Sequence, residues 1–199
     1  MSKGHRRFAA FWDWQARHES QRERDLRAEV AGAARGRTLE LGYGVGTNWP
    51  FIPKNVEYTG IEPDPYMRER AVGRVPAGRE FTLLQGDAQS LQFEDGSFDT
   101  VLATLVFCTI QEPEHALAEL RRVLRPDGQF VFFEHVRAHS RFGAAIQSGL
   151  TPIYRRLAGG CHLNRDTQAA TEAAGFDTTV RRMKIGALPV IVGVAHKRA

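Results

Sequence analysis

The chain is 199 residues long, 42% hydrophobic and 25% charged, with a formal net charge of +4 at pH 7. This length suits one domain with a full core, and the composition is ordinary for a soluble globular protein. Its two cysteines, Cys108 and Cys161, lie far apart without C-x-x-C spacing, which excludes a disulfide framework and indicates a reducing compartment. No apolar run approaches the roughly 18 residues of a membrane span and no signal peptide is recognisable, so we expect a cytoplasmic protein.

The charge is distributed unevenly along the chain. Residues 1–37 carry nine basic and five acidic side chains, residues 38–136 carry eight and fifteen, and residues 137–199 carry ten and three. An acidic middle suits a cationic ligand, whereas basic flanks suit an anionic membrane surface or nucleic acid. Solvated basic faces explain the flanks more simply, so we expect no nucleic-acid partner, while peripheral membrane contact stays open.

Two helices are predicted at the N-terminus. Phe8, Phe11, Trp12 and Gln15 share one helical face, and the segment 21–34 is rich in helix formers. The aromatic face predicts packing either on the sheet or over a bound ligand.

A glycine-rich turn follows the first predicted strand, which begins at Thr38. Gly42, Gly44 and Gly46 form a G-x-G-x-G pattern, and Thr47 stands where a dinucleotide fingerprint would have glycine or alanine. Glycines let a ligand lie against bare backbone, so the turn predicts the nucleotide-binding corner of a doubly wound α/β fold. Thr47 argues against an NAD-dependent oxidoreductase.

The next two predicted strands each end in an acidic residue. Glu62 ends the strand 56–61 and follows Gly42 by 20 residues, a spacing at which an acid accepts hydrogen bonds from both ribose hydroxyls. Asp87 follows the strand 81–85, where it is placed to accept a hydrogen bond from an adenine amino group. A solvated loop acid is the alternative for Glu62, and an Asx-turn or helix cap for Asp87.

The remaining chain continues the alternation of strands and helices, which predicts a parallel sheet. Its later part predicts an amphipathic helix, a short final helix and an antiparallel hairpin that closes the sheet. In chain order these elements are a buried strand 99–106, a helix 113–125, a turn 126–128, a fifth strand 129–134, the amphipathic helix 142–157, the final helix ending at Gly175, and the strands 176–185 and 190–197.

Several segments together resemble the class I S-adenosylmethionine-dependent methyltransferases over residues 36–199. The first motif is matched by 39–48, the second by 60–67, the third by 86–88, the fourth strand by 98–107 and the next turn by 124–129. The segments 104–109, 133–136 and 160–165 are similar to the membrane-associated thiol S-methyltransferases of animals. Tyr43 departs from the family, which usually has Cys or Ala there.

The resemblance implies a three-layer, doubly wound Rossmann-like fold. Its seven strands would run in the order 3-2-1-4-5-7-6 with the last strand antiparallel and helices on both faces, and residues 1–35 would form a helical lid that belongs to the same domain. Phe11, Trp12 and Trp14 are then lid candidates. The implied cofactor is S-adenosylmethionine, bound by Glu40, Gly42, Gly44, Gly46, Asn48, Glu62, Pro63, Met67, Asp87, Ala88, Thr104 and Leu105.

The function that follows is methyl transfer to a small molecule, with a thiol as the leading acceptor class. A thiolate is the nucleophile in that chemistry, so a base near the acceptor would help, and His135 is the first candidate and His162 the second. No metal site is predicted, and Cys108 is interpreted as a packed small residue. A phospholipid or quinone-type methyltransferase at a membrane surface and a non-catalytic S-adenosylmethionine-binding module stay open as alternatives. The oligomeric state is not predicted.

Overall fold

The computed structural model describes residues 6–157 and 160–198, without the side chains of Tyr154, Arg156 and Leu157. The first five residues of the predicted lid, residues 1–5, therefore lie outside the described part. The described elements are α1 (Arg6–Arg17), α2 (Gln21–Gly32), β1 (Arg37–Leu41), β2 (Glu57–Ile61), α3 (Pro65–Ala71), β3 (Phe81–Leu84), β4 (Phe98–Thr104), α4 (Pro113–Val123), β5 (Leu124–His135), α5 (Arg141–Leu157), α6 (Thr167–Ala173), β6 (Phe176–Ile185) and β7 (Leu188–Lys197), with short 3-10 helices at Trp49–Phe51 and Val72–Arg74.

The seven strands form one sheet in the order β3-β2-β1-β4-β5-β7-β6. Strands β1 to β5 pair in parallel, and β7 runs antiparallel to both β5 and β6. The predicted fold is confirmed. In this order β1 and β4 are neighbours, so the loops that follow them open at the point where the strand order reverses, the usual ligand crevice of such sheets.

Alternating side chains of the central strands fill two apolar layers, one on each face of the sheet. On one face, Leu39 and Leu41 of β1 lie with Phe130 and Phe132 of β5 in a cluster that includes α4. On the other face, Val131 and Phe133 of β5 lie in a cluster that includes Leu26 and Val30 of α2. Burial on both faces explains the continuous apolar runs 101–103 in β4 and 130–133 in β5.

Strand β5 begins earlier than the sequence predicts. Leu124 already pairs with Phe98 of β4, and after a register shift Gln129 pairs with Thr100. The predicted turn 126–128 therefore lies at an irregularity inside the strand bounds rather than before the strand. Pro126 and Gly128 favour a turn locally, and the sequence therefore predicted one. The pairing of Leu124 could not be predicted in this way, because it depends on β4, which is distant in sequence.

The N-terminal helices pack against the domain at two places. Helix α2 packs on one face of the sheet through Leu26 and Val30, and α1 packs near the glycine turn. Ala9 of α1 lies in an apolar cluster with Val45 and with Met67 of α3. Helix α2 begins with a capping box in which Ser20 and Glu23 satisfy each other's backbone amides.

Among the residues described, no helix has the length and apolar character needed to cross a bilayer.

Candidate active site

A cavity of about 740 Å³ opens at the carboxyl edge of the sheet. The loops after β1, β2, β3 and β4 supply one wall, and residues of α1 and α2 supply another. A second cavity of about 850 Å³ lies at the opposite edge beside α4 and α6, and it contains none of the predicted site residues. The first cavity is therefore the candidate site, because ligands of such sheets bind at the carboxyl ends of the strands.

The structure brings most of the predicted cofactor residues together around this cavity. Those that line it are Gly42, Gly44, Glu62, Pro63, Met67, Asp87, Ala88, Thr104 and Leu105. Four predicted residues are not in the lining, namely Glu40, Gly46, Asn48 and the catalytic candidate His135. Their predicted roles stay untested. None of the four borders the described cavity, so a ligand in this cavity would not contact them directly.

Glu62 connects the glycine turn to the loop after β2. One carboxylate oxygen accepts a hydrogen bond from the backbone N–H of Gly44 and the other from that of Asp64, each at 2.9 Å. Burial, which leaves Glu62 only 6% exposed, raises its pKa to about 7 even though both amide bonds oppose the rise. Each carboxylate oxygen keeps a second acceptor position, so Glu62 can still accept from a ligand hydroxyl.

Two glycines of the turn have different surroundings. Both have a positive φ, +56° at Gly44 and +82° at Gly46. A Cβ built at Gly44 would meet nothing within 4 Å, whereas one at Gly46 would lie 2.5 Å from Cε3 of the buried Trp49. Gly44 thus leaves open space beside the cavity, and Gly46 is needed for close packing behind it.

Asp87 lies at the cavity while forming the Asx-turn that was the alternative to ligand binding. Its Oδ1 accepts a hydrogen bond from the backbone N–H of Gln89 at 3.0 Å. The side-chain carbonyl of Gln89 in turn accepts from the backbone N–H of Glu112 at 2.8 Å. The two interpretations are compatible, because the turn orients the carboxylate and leaves it lining the cavity.

Leu105 has the left-handed backbone that non-glycine residues rarely adopt. Its φ is +58°, and its N–H donates to Phe133 of β5 at 2.7 Å. The buried Glu134 accepts from the backbone N–H groups of Val106 and Phe107 at 2.8 and 3.0 Å, and burial raises its pKa to about 7. Strain of this kind costs about 1–3 kcal/mol and is retained where the surrounding structure holds a site in place.

A buried polar network supports the cavity from behind. Glu40, 1% exposed, accepts hydrogen bonds from Tyr58 and, at 2.6 Å, from the side-chain amide of Asn48. The same amide donates to Thr104 at 2.8 Å. Burial raises the pKa of Glu40, and the bonds from Tyr58 and Asn48 oppose that rise. Glu40 and Asn48 therefore contact the cavity-lining Thr104 rather than lining the cavity themselves.

Arg27 of α2 completes this network and was missed in the sequence. It is 7% exposed, lines the cavity, and donates to Asn48 at 3.1 Å and to Thr104 at 2.9 Å. Its Nε also pairs with Glu19, likewise in the lining, at 2.5 Å. The sequence did contain a signal that Arg27 faces the protein interior, because it shares a helical face with Val30 and Ala31, both of which are buried.

Helix α1 covers the cavity with three of the four side chains predicted to share its aromatic face, and with one of the three predicted lid residues, Trp12. Phe8, Trp12 and Gln15 line the cavity, whereas Phe11 and Trp14 are 48% and 57% exposed. The prediction for Phe11 and Trp14 as cavity-facing lid residues is therefore wrong. Only one face of a helix can meet the cavity, and Trp12 lies on that face while its two aromatic neighbours lie beside it.

Two cysteines and a histidine meet next to the cavity. Cys108 follows β4, His135 ends β5, and Cys161 follows α5, yet their ligand atoms all lie within 4.8 Å of one another. A hydrogen bond from Cys108 lowers the pKa of Cys161, and the same bond raises that of Cys108. His162, beside Cys161, lines the cavity, and burial lowers its pKa.

Comparison with known proteins gives the family. Residues 39–132 match the family model of a methyltransferase domain. Over 170 residues the chain is 33% identical to human thiol S-methyltransferase TMT1B, covering 80% of this chain and 69% of that protein. The chain belongs to the S-adenosylmethionine-dependent methyltransferases. This methyltransferase is also 33% identical over 160 residues to phosphatidylethanolamine N-methyltransferase of Cereibacter sphaeroides, covering 79% of this chain and 78% of the relative.

Solved structures agree with the fold of this methyltransferase. An S-adenosylmethionine-dependent methyltransferase from Thermotoga maritima superimposes with a TM-score of 0.72 at 20% identity, covering 98% of this chain and 97% of that one. The methyltransferase spans only 59% of a second human relative, thiol S-methyltransferase TMT1A. Its cofactor is S-adenosylmethionine, as predicted.

Proposed function

We propose that this methyltransferase transfers the methyl group of S-adenosylmethionine to the sulfur of a small thiol. The observation that carries the proposal is the part of the cavity wall supplied by Arg155, Gly160 and His162. A guanidinium and an imidazole favour a thiolate over a neutral amine, because the guanidinium stabilises negative charge and the neutral imidazole can accept the thiol proton. Two human relatives with this sequence similarity are thiol S-methyltransferases by name.

The cofactor is proposed to lie along the loops of β1 to β4. Glu62 would accept from the ribose hydroxyls, Asp87 from the adenine amino group, and the open backbone at Gly44 would face the methionine part. The acidic lining suits the positive sulfonium. The thiolate sulfur then attacks the methyl carbon in line, the bond from that carbon to the sulfonium sulfur breaks, and S-adenosylhomocysteine leaves as a neutral sulfide.

His162 is the better candidate than His135 for accepting the thiol proton. Burial lowers the pKa of His162 below its ordinary value of 6.5, so the ring is neutral at pH 7 and can accept a proton. It lines the cavity, whereas His135 does not. A catalytic role for His135 stays a prediction, and turnover of a His135→Ala variant would test it.

The test is methyl transfer from radiolabelled S-adenosylmethionine to a panel of small thiols, amines and phenols. We expect labelled thioether, with Glu62→Ala and Asp87→Ala each weakening cofactor binding in calorimetric titration while the fold is kept. Turnover of an amine or a phenol with no turnover of any thiol would contradict the acceptor class. Unchanged cofactor affinity in both variants would contradict the placement of the adenosyl group.

A phospholipid acceptor is the second candidate, and one surface feature favours it. Phe142, Ile146, Leu150 and Ile153 of α5 follow helical spacing and are 78%, 47%, 47% and 58% exposed. An exposed apolar stripe on a basic segment suits docking on an anionic membrane surface. Vesicles of phosphatidylethanolamine mixed with an anionic phospholipid, given radiolabelled cofactor, would decide, because label in the extracted phosphatidylethanolamine requires both docking and transfer. Flotation of wild type but not of Phe142→Ser would assign docking to this stripe.

A further inference from the structure

Three side chains with metal-binding chemistry converge although they are distant in sequence. Cys108, His135 and Cys161 come from the loop after β4, the end of β5 and the segment after α5. Both cysteines are buried, at 2% and 6% exposure. The Nδ1 atom of His135 is also shielded from solvent and has no hydrogen-bond partner in the part of the chain described. A shielded imidazole nitrogen beside two sulfur atoms is an arrangement that needs an explanation.

We infer that these three residues bind a thiophilic divalent cation, for which Zn²⁺ is the best match. Two sulfurs and one imidazole are a preferred zinc donor set, and harder cations such as Mg²⁺ require oxygen ligands. Zinc bond lengths of about 2.3 Å to sulfur and 2.0–2.1 Å to nitrogen imply ligand atoms about 3.5–3.8 Å apart in a tetrahedron. The observed limit of 4.8 Å requires the ligand atoms of a pair to approach each other by at most about 1.3 Å, within the range of side-chain rotation.

The three ligands leave one coordination position for an outside donor. Thr109 follows Cys108 and lines the cavity, and so do Gly160 and His162 on either side of Cys161. The cluster therefore lies directly behind the cavity wall. Zinc sites with three protein ligands take water or substrate in the fourth position, so a donor from the cavity, water or a sulfur, would complete this site. Metal binding here is independent of which acceptor is methylated.

Two plainer explanations predict different measurements. The cysteines can be ordinary packed residues, as the apolar cluster they form with Leu163 suggests, and then the protein binds no metal. They can also form a disulfide, and then the purified protein has no free thiols. Because the chain contains only two cysteines, any thiol or thiolate signal in the whole protein comes from this pair.

The experiment is a Co²⁺ titration of the full chain, purified with a phosphine reductant and without a chelator. Co²⁺ replaces Zn²⁺ in tetrahedral sites, and its thiolate charge-transfer and d–d absorption report sulfur coordination. We expect one ion per chain, displaced by Zn²⁺. Cys108→Ser, Cys161→Ser and His135→Gln should each weaken binding at least about 100-fold, since losing even an outer-sphere partner costs 10–100-fold. His139→Gln is the matched control, because His139 is exposed and close by in the chain.

Each outcome of the titration either supports or overturns the proposed metal site. Charge-transfer absorption in wild type and His139→Gln that is lost in His135→Gln supports the site, provided that circular dichroism shows a folded variant. If His135→Gln does not fold, the stoichiometry of tightly bound zinc in the wild type, measured by mass spectrometry, takes its place. Absent charge-transfer absorption, equal Co²⁺ affinity in folded ligand variants, or zero free thiols in denatured wild type that was purified separately without the reductant would each overturn the inference.

Discussion

Replacing Gly46 by alanine should destabilise the protein without any direct effect on the ligand. The new Cβ would lie 2.5, 2.7 and 2.8 Å from three ring carbons of Trp49. Trp49 cannot easily move, because it is fully buried and its indole N–H donates to Tyr58 at 2.7 Å. The φ of +82° adds about 1–2 kcal/mol for a residue with a Cβ, and the overpacking about 1–3 kcal/mol. We expect a loss of about 2–5 kcal/mol in the free energy of unfolding.

Gly44→Ala is the matched control, two residues away in the same turn. Its φ of +56° carries the same backbone cost, but its Cβ would meet nothing within 4 Å. We expect a loss of only about 1–2 kcal/mol, all from the backbone. Because Gly44 lines the cavity and Gly46 does not, the added methyl of Gly44→Ala should weaken cofactor binding more than that of Gly46→Ala.

Urea denaturation measures the free energy of unfolding of each variant, and calorimetric titration measures S-adenosylmethionine affinity under conditions where each is folded. The expected pattern is a crossed one, with stability lost mainly in Gly46→Ala and affinity mainly in Gly44→Ala. Equal destabilisation of the two variants would refute the steric reasoning about Trp49. Unchanged affinity in Gly44→Ala would refute the view that the cofactor lies against this backbone.

Three further predictions rest on buried or half-buried polar groups. Arg27→Met leaves Glu19 buried and unpaired and should cost about 3–5 kcal/mol in urea denaturation, whereas the exposed Arg22→Met should change little. His162→Gln should lower the turnover of a thiol with little change in cofactor affinity; an unaltered turnover number would remove His162 from the proton path. Stability of the ligand-free protein should fall as pH rises from 4.5 to about 7 and level off above, because burial raises the pKa of Glu62 and Glu134 to about 7, so the native state keeps protons that the unfolded chain releases. The loss in the free energy of unfolding is at most about 3 kcal/mol for each carboxyl group. A urea midpoint that stays constant between pH 4.5 and 7 would contradict this prediction.

The fold was readable because its signals are local. Alternating strands and helices, glycines at a strand end and an acid 20 residues later are patterns of neighbouring residues, and the strand order follows from the resemblance they carry. The predicted cofactor residues that line the cavity were readable for the same reason, since Gly44, Glu62 and Asp87 each lie in the loop that follows a strand. Gly46 and Glu40 belong to the same motifs but pack behind the cavity, and motif membership alone does not distinguish lining from support.

By itself, the sequence of this methyltransferase determined the order of its strands, the edge of the sheet where a ligand lies and the class of ligand. Only the tertiary structure decided which aromatic residues of α1 face the cavity, that Arg27 reaches from α2 to Thr104, and that Cys108, His135 and Cys161 meet. The physical reason is distance along the chain. A pattern within one strand or turn constrains its own neighbours, whereas these contacts join segments 26 to 77 residues apart, which only the packed sheet brings within reach.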